Sequence, residues 1–149
     1  MQVHKATLSD LGGLTKLLDA FIAEHRVYAQ EVNRDVAIRT LVGCVDGHLV
    51  LKLVNEKEEI IGGFAGLIVP ALITKDTICQ ELMLYVYPDY RKHVKLFLEY
   101  IEAVCVKLGV TQLIIADPTE DQGLAKFLQL NGFTRLETQM TKNLRRPKV

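Results

Sequence analysis

The sequence predicts an α+β (mixed α/β) fold in which a sheet carries helices on both faces, in the order β-α-α-β-β-β-α-β-α-β with one further terminal β segment. Apolar residues recur at helical spacing in two early segments and one longer later one. β-branched apolar runs cluster between them, and the last third alternates short β-prone runs with helical ones. The chain has 149 residues, enough for one domain that buries roughly two thirds of its unfolded surface, and a single domain over 1–149 is expected.

Val3 to Thr7 is short and β-prone, and Ser9 stands where a helix N-cap is needed. Leu11, Leu14, Leu18 and Phe21 then form one stripe of a helix ending near Glu24, with Gly12 and Gly13 weakening its first turn. A second helical pattern runs from about Asn33, with Val36, Leu41 and Val45 inward, and Asp46-Gly47 ends it. Between the two lies a polar linker, Glu24 to Glu31, which reads as a solvated connection that could also line a cleft.

His48 to Val54 and Ile60 to Val69 read as a hairpin with the charged turn Asn55 to Glu59. Gly62, Gly63 and Gly66 mark a bulge or a close backbone approach. Thr77 to Tyr87 is the next strand. It leads through Pro88-Asp89-Tyr90 into a corner bearing Arg91, Lys92, His93 and Lys95, and then into a helix with Val94, Phe97, Leu98, Ile101, Val104, Cys105 and Leu108 on one face. Gly109 supplies its left-handed stop. Gln112 to Ala116 closes a βαβ unit whose two strands should be parallel. Thr119 with Gln122 resembles a capping box for a helix reaching Asn131, Gly132 breaks it, and β segments around Phe133 and from Glu137 to Thr141 precede a basic tail.

Composition narrows the function. With 18 basic and 18 acidic residues the formal charge is zero, so no overall field draws the chain to nucleic acid or an anionic membrane. Any anion site must be local. Cys44, Cys79 and Cys105 sit in apolar segments and read as reduced core residues of a cytoplasmic protein. The N-terminus lacks the apolar run of a secretory signal, and the longest apolar stretch, Ile60 to Ile73, is short for a membrane span and broken by glycines and Pro70. No His/Cys/carboxylate set has metal-ligand spacing, the glycine cluster lacks a P-loop Lys-Ser/Thr, and Ser9 is the only serine, which disfavours serine hydrolysis.

Strand, cationic corner and helix N-terminus in that order suit a phosphate. The string Leu84-Tyr85-Val86-Tyr87-Pro88-Asp89-Tyr90-Arg91, the helix to Gly109, and Gly132-Phe133 after the last helix resemble the GNAT superfamily of acetyl-coenzyme A-dependent N-acetyltransferases over nearly the whole chain. The compact form of the corner is also similar to acetyltransferase-like proteins of bacteriophages. The resemblance implies a GNAT-like central mixed, mostly antiparallel sheet and acetyl-CoA (coenzyme A) as cofactor. It aligns Leu84, Tyr85 and Val86 with the strand edge that hydrogen-bonds the pantetheine arm, and Arg91, Lys92, His93, Val94, Lys95 and Leu96 with the phosphate loop.

Two departures stand out. The family's loop is glycine-rich and this corner has no glycine, so side-chain charge must replace backbone contacts. Leu128 occupies the position where many members carry a tyrosine that protonates the departing thiolate. Glu81 is the first candidate base; strand alternation puts it with Met83 and Tyr85, opposite Leu82 and Leu84, and apolar neighbours should raise its pKa. His25 in the linker is the second. The reading is acetyl transfer to an amine, on a small molecule or a protein, by direct attack. The alternatives are a degenerate member serving as a coenzyme A-binding regulatory module, and a structural or virion protein using a strand edge or the Arg145-Arg146-Pro147-Lys148 tail. The acceptor carries no readable code, and oligomeric state is open, a homodimer included.

Overall fold

The computed structural model describes residues 1–24, 33–116, 122–137, 140, 142 and 144. The chain divides into two compact units, Met1–Ala116 and Asp117–Val149.

The first unit is built on a five-stranded sheet in the spatial order β1 (Gln2–Lys5), β2 (Leu49–Val54), β3 (Ile60–Pro70), β4 (Thr77–Val86), β5 (Gln112–Ile114). The first four strands pair antiparallel and β4 pairs parallel with β5, as a βαβ crossover requires. Helices α1 (Leu11–Glu24) and α2 (Arg34–Gly47) cover one face, where Leu14, Leu17, Leu18, Leu41 and Cys44 pack with Val50, Ala65, Met83 and Tyr85. Helix α3 (Val94–Lys107) covers the other, where Phe97, Ile101 and Cys105 pack with Leu51, Leu53, Phe64, Cys79 and Val86. The mixed α+β architecture, with helices on both faces, is the one the sequence predicts.

Local chemistry explains the boundaries. A 3-10 turn over Leu8–Asp10 precedes α1, and its cap is Thr7 rather than Ser9. The Thr7 N–H donates to Asp10 Oδ2 at 2.9 Å, the reciprocal half of a capping box. Asn33 caps α2 by accepting from the Val36 N–H at 3.2 Å. Val36 itself is 47% exposed, and Cys44 takes the inward position beside Leu41. Gly109 ends α3 at φ +80°, as its spacing predicts.

The second unit holds α4 (Gln122–Leu130), which stops where Gly132 turns to φ +90° and the Phe133 N–H bonds back to the Leu128 carbonyl at 3.0 Å. Among the described residues, 133–137 form no strand, so the β segment expected around Phe133 is not there. Thr119, most of the Glu137–Thr141 segment and the tail 145–148 lie outside the described residues.

Candidate active site

The site begins with an irregularity in β4. Ala65 of β3 stands opposite Met83, but its neighbour Gly66 stands opposite Glu81. Leu82 is therefore an extra residue, a β-bulge, and every side chain before it is turned to the other face relative to simple alternation. Met83 and Tyr85 enter the core beneath α1 and α2; Glu81 shares the α3 face with Cys79, with Leu82 left 41% exposed. The sequence reading that grouped Glu81 with Met83 and Tyr85 is corrected by this bulge. Gly66 makes room for it: a Cβ there would lie 2.7 Å from Cys79 Sγ and 3.0 Å from the Phe64 ring.

The same region is where the sheet opens. Parallel pairing between β4 and β5 covers Ile78–Gln112, Cys79–Leu113 and Gln80–Ile114, and stops there. From Glu81 to Val86, β4 continues with no strand on that side among the described residues. The Glu81 carboxyl lies at the divergence, near enough to the backbone N–H groups of Ala116 and Leu84 for them to favour its charged form. Burial nevertheless pushes its pKa up to about 7, those two N–H groups opposing the shift. The Tyr87 N–H donates to the Ile61 carbonyl of β3 at 3.0 Å, so by alternation Tyr85 also turns its backbone to β3 while Leu84 and Val86 turn theirs to the open side. Of the three predicted edge residues, Leu84 and Val86 present backbone groups where an extended ligand could add. Tyr85 instead buries its ring under α1.

That ring belongs to a small aromatic and charged cluster. Phe21 and Tyr87 approach Tyr85 edge-on, with centroids 6.1 and 6.0 Å away. Arg91 lies over the Tyr85 ring at 5.6 Å, donates from Nε to the Val86 carbonyl at 3.1 Å, and donates from Nη2 to both Glu24 oxygens at 2.7 and 2.5 Å. Burial and the Glu24 carboxylate push the Tyr85 hydroxyl up to about 12.

The basic corner is not a simple helix N-terminus. Pro88–His93 is a 3-10 turn running directly into α3, and the Val94 N–H is bonded to the Arg91 carbonyl. Val94 packs its side chain into the core beneath α3. Lys92, His93 and Lys95, by contrast, make no ion pair or side-chain hydrogen bond among the described residues, and the two lysines are exposed. They stand three apart, a spacing that puts both ammonium groups on one side of the turn. Leu96 is half-buried. Glu24 was not a sequence candidate, and no local signal links it to Arg91, 67 residues on. His25 lies outside the described residues, and Leu128 sits on α4 in the second unit.

Cys79 on β4 and Cys105 on α3 lie in the same core cluster, and all three cysteines are buried and free. Among the described residues no group of His, Cys, Asp and Glu could hold a metal ion, and no helix is long and apolar enough to cross a membrane.

No family model matches the chain, and no curated protein does. Solved structures do. A possible acetyltransferase from Clostridium difficile superposes with a TM-score of 0.76 at 14% identity, covering 97% of this chain and 98% of that one. An aminoglycoside acetyltransferase from an uncultured soil metagenomic sample, solved with sisomicin, gives 0.76 at 13% identity over 98% and 96%. A ribosomal-protein-alanine N-acetyltransferase from Brucella melitensis biovar Abortus gives 0.73 at 15% identity over 97% and 100%. The chain therefore has the fold of the GNAT acetyltransferases.

Proposed function

We propose that the protein is an acetyl-coenzyme A-dependent N-acetyltransferase. One observation carries the reading: β4 runs on past its last pairing with β5, from Glu81 to Val86, and its open edge ends beside a corner where Lys92, His93 and Lys95 have no ion-pair or side-chain hydrogen-bond partner among the described residues. Those residues fit coenzyme A, an amide-bearing arm that can hydrogen-bond a strand edge, joined to phosphates that need cations. Leu84 and Val86 would hold the arm, and Lys92, His93 and Lys95, with Arg91 behind them, would hold the phosphates through side chains.

When bound, acetyl-coenzyme A would supply a thioester carbonyl to an attacking amine. Glu81, with a pKa near 7, is partly ionised at neutrality and would take the amine's proton, directly or through one water. Because it stands at the strand divergence and not beneath α1, the amine would have to approach this edge. No tyrosine occupies the usual acid position, so the departing thiolate would draw its proton from solvent, a rate cost that does not forbid transfer. The acceptor is an amine of a small molecule or protein, and the cytoplasm is the expected compartment.

Free-thiol release from acetyl-coenzyme A, measured across small amines, polyamines and peptides, tests the reading. Turnover that disappears in Glu81→Gln supports it, and the absence of any coenzyme A binding removes it. A second reading, coenzyme A binding without turnover, is favoured by the bonded Val94 N–H and by Arg91 being held by Glu24. Binding with no thiol release on any acceptor would select it.

A further inference from the structure

Arg91 differs from its neighbours in the corner because it already has an anion. Its Nη2 donates to both oxygens of Glu24, the last residue of α1, while Lys92, His93 and Lys95 have no acidic partner among the described residues. The pair is reachable from solvent, its side chains being 45% and 37% exposed. The rest of the arginine is anchored independently, by Nε on the Val86 carbonyl and by the Tyr85 ring beneath the guanidinium. Arg91 would therefore stay in place if Glu24 left.

We propose that Glu24 is an internal stand-in for the cofactor's phosphate at Arg91, an autoinhibitory contact that the arriving cofactor displaces. This rests on the coenzyme A reading given above. A carboxylate and a phosphate use the same donors of a guanidinium, so the two compete for Nη2. Phosphate brings the larger charge and the added attraction of Lys92 and Lys95, which Glu24 does not use.

Isothermal titration with coenzyme A, at one ionic strength, tests this in the full chain. Both E24Q and E24A should bind coenzyme A tighter than the parent, by roughly fivefold or more. In an R91A background the same substitutions should leave affinity unchanged. Equal or weaker binding by E24Q and E24A overturns the proposal. So does an equal gain in the R91A background, which would mark a general effect of removing one negative charge. Failure of the parent and of every variant to bind coenzyme A overturns the cofactor reading, and this inference falls with it. Binding by the parent without a gain in E24Q overturns the inference alone.

Discussion

Glu81 and Met83, two positions apart on β4, face opposite sides of the sheet, because Leu82 between them is an extra residue in the ladder with β3. The carboxylate is thereby taken from the crowded face beneath α1 and α2 and set at the point where β4 and β5 part. Whatever chemistry the site performs begins from that displacement.

The bulge depends on Gly66. Replacing it with alanine would put a methyl group 2.7 Å from Cys79 Sγ and 3.0 Å from the Phe64 ring, both buried. We expect a loss of about 1–3 kcal/mol in urea unfolding. Cys79→Ala, which removes the sulfur, should restore part of that loss when combined with Gly66→Ala, and strict additivity of the two would contradict the packing described.

Glu81 should leave a pH signature on stability. Its folded pKa of about 7 lies above the ordinary value of 4.5, so the native state holds a proton that the unfolded chain releases. The stability from this group is fully present below pH 4.5 and declines as pH rises towards about 7. Melting temperatures of the parent chain relative to Glu81→Gln should therefore fall between acidic and mildly alkaline buffer, and parallel curves would exclude a carboxyl that folding desolvates. Under the proposed function, turnover should rise with pH through the same window, and Glu81→Gln should lose on the order of a hundredfold in kcat.

Arg91 and the two lysines should separate structural from binding roles. Arg91→Ala removes contacts to Glu24, the Val86 carbonyl and the Tyr85 ring. Because the ion pair is well solvated, the expected cost is only about 1 kcal/mol. Lys92→Ala with Lys95→Ala removes no described contact, so chemical denaturation should be unchanged within about 0.5 kcal/mol. Coenzyme A affinity in that double variant should nevertheless fall and lose much of its salt dependence. A stable protein with undiminished affinity would move the phosphates elsewhere.

Asn33 gives a test remote from the site. Its side chain satisfies the Val36 N–H at the start of α2, and Asn33→Ala should destabilise the chain by about 1 kcal/mol, read as a lower denaturant midpoint at constant slope.

What could be read from the sequence was what is repeated or local. The apolar period of α3 recurs over four turns and Gly109 punctuates it, so one element and its end were both legible. The antiparallel hairpin of β2 and β3 followed from two β-branched runs around a charged turn, which Asn55 organises by accepting from the Lys57 and Glu59 N–H groups. Thr7 was legible in principle, since Asp10 three residues on completes the box that Ser9 lacks. The bulge was not. One inserted residue leaves composition and length untouched while reversing a face, and only the glycine cluster opposite hinted at it. The Glu24–Arg91 pair was not legible either, because contacts between distant segments follow from the packing of whole elements.

Beyond Gln80 and Ile114 no backbone rung joins the two diverging chains among the described residues; the Glu81 carboxyl stands in the gap instead, close to an N–H of each. The mouth of the sheet is thus filled by one side chain where a ladder would otherwise continue. Parting this edge to admit another extended chain leaves every rung of the antiparallel sheet intact. In hydrogen exchange the Leu84 and Ala116 amides should therefore exchange faster than the amides between β2 and β3.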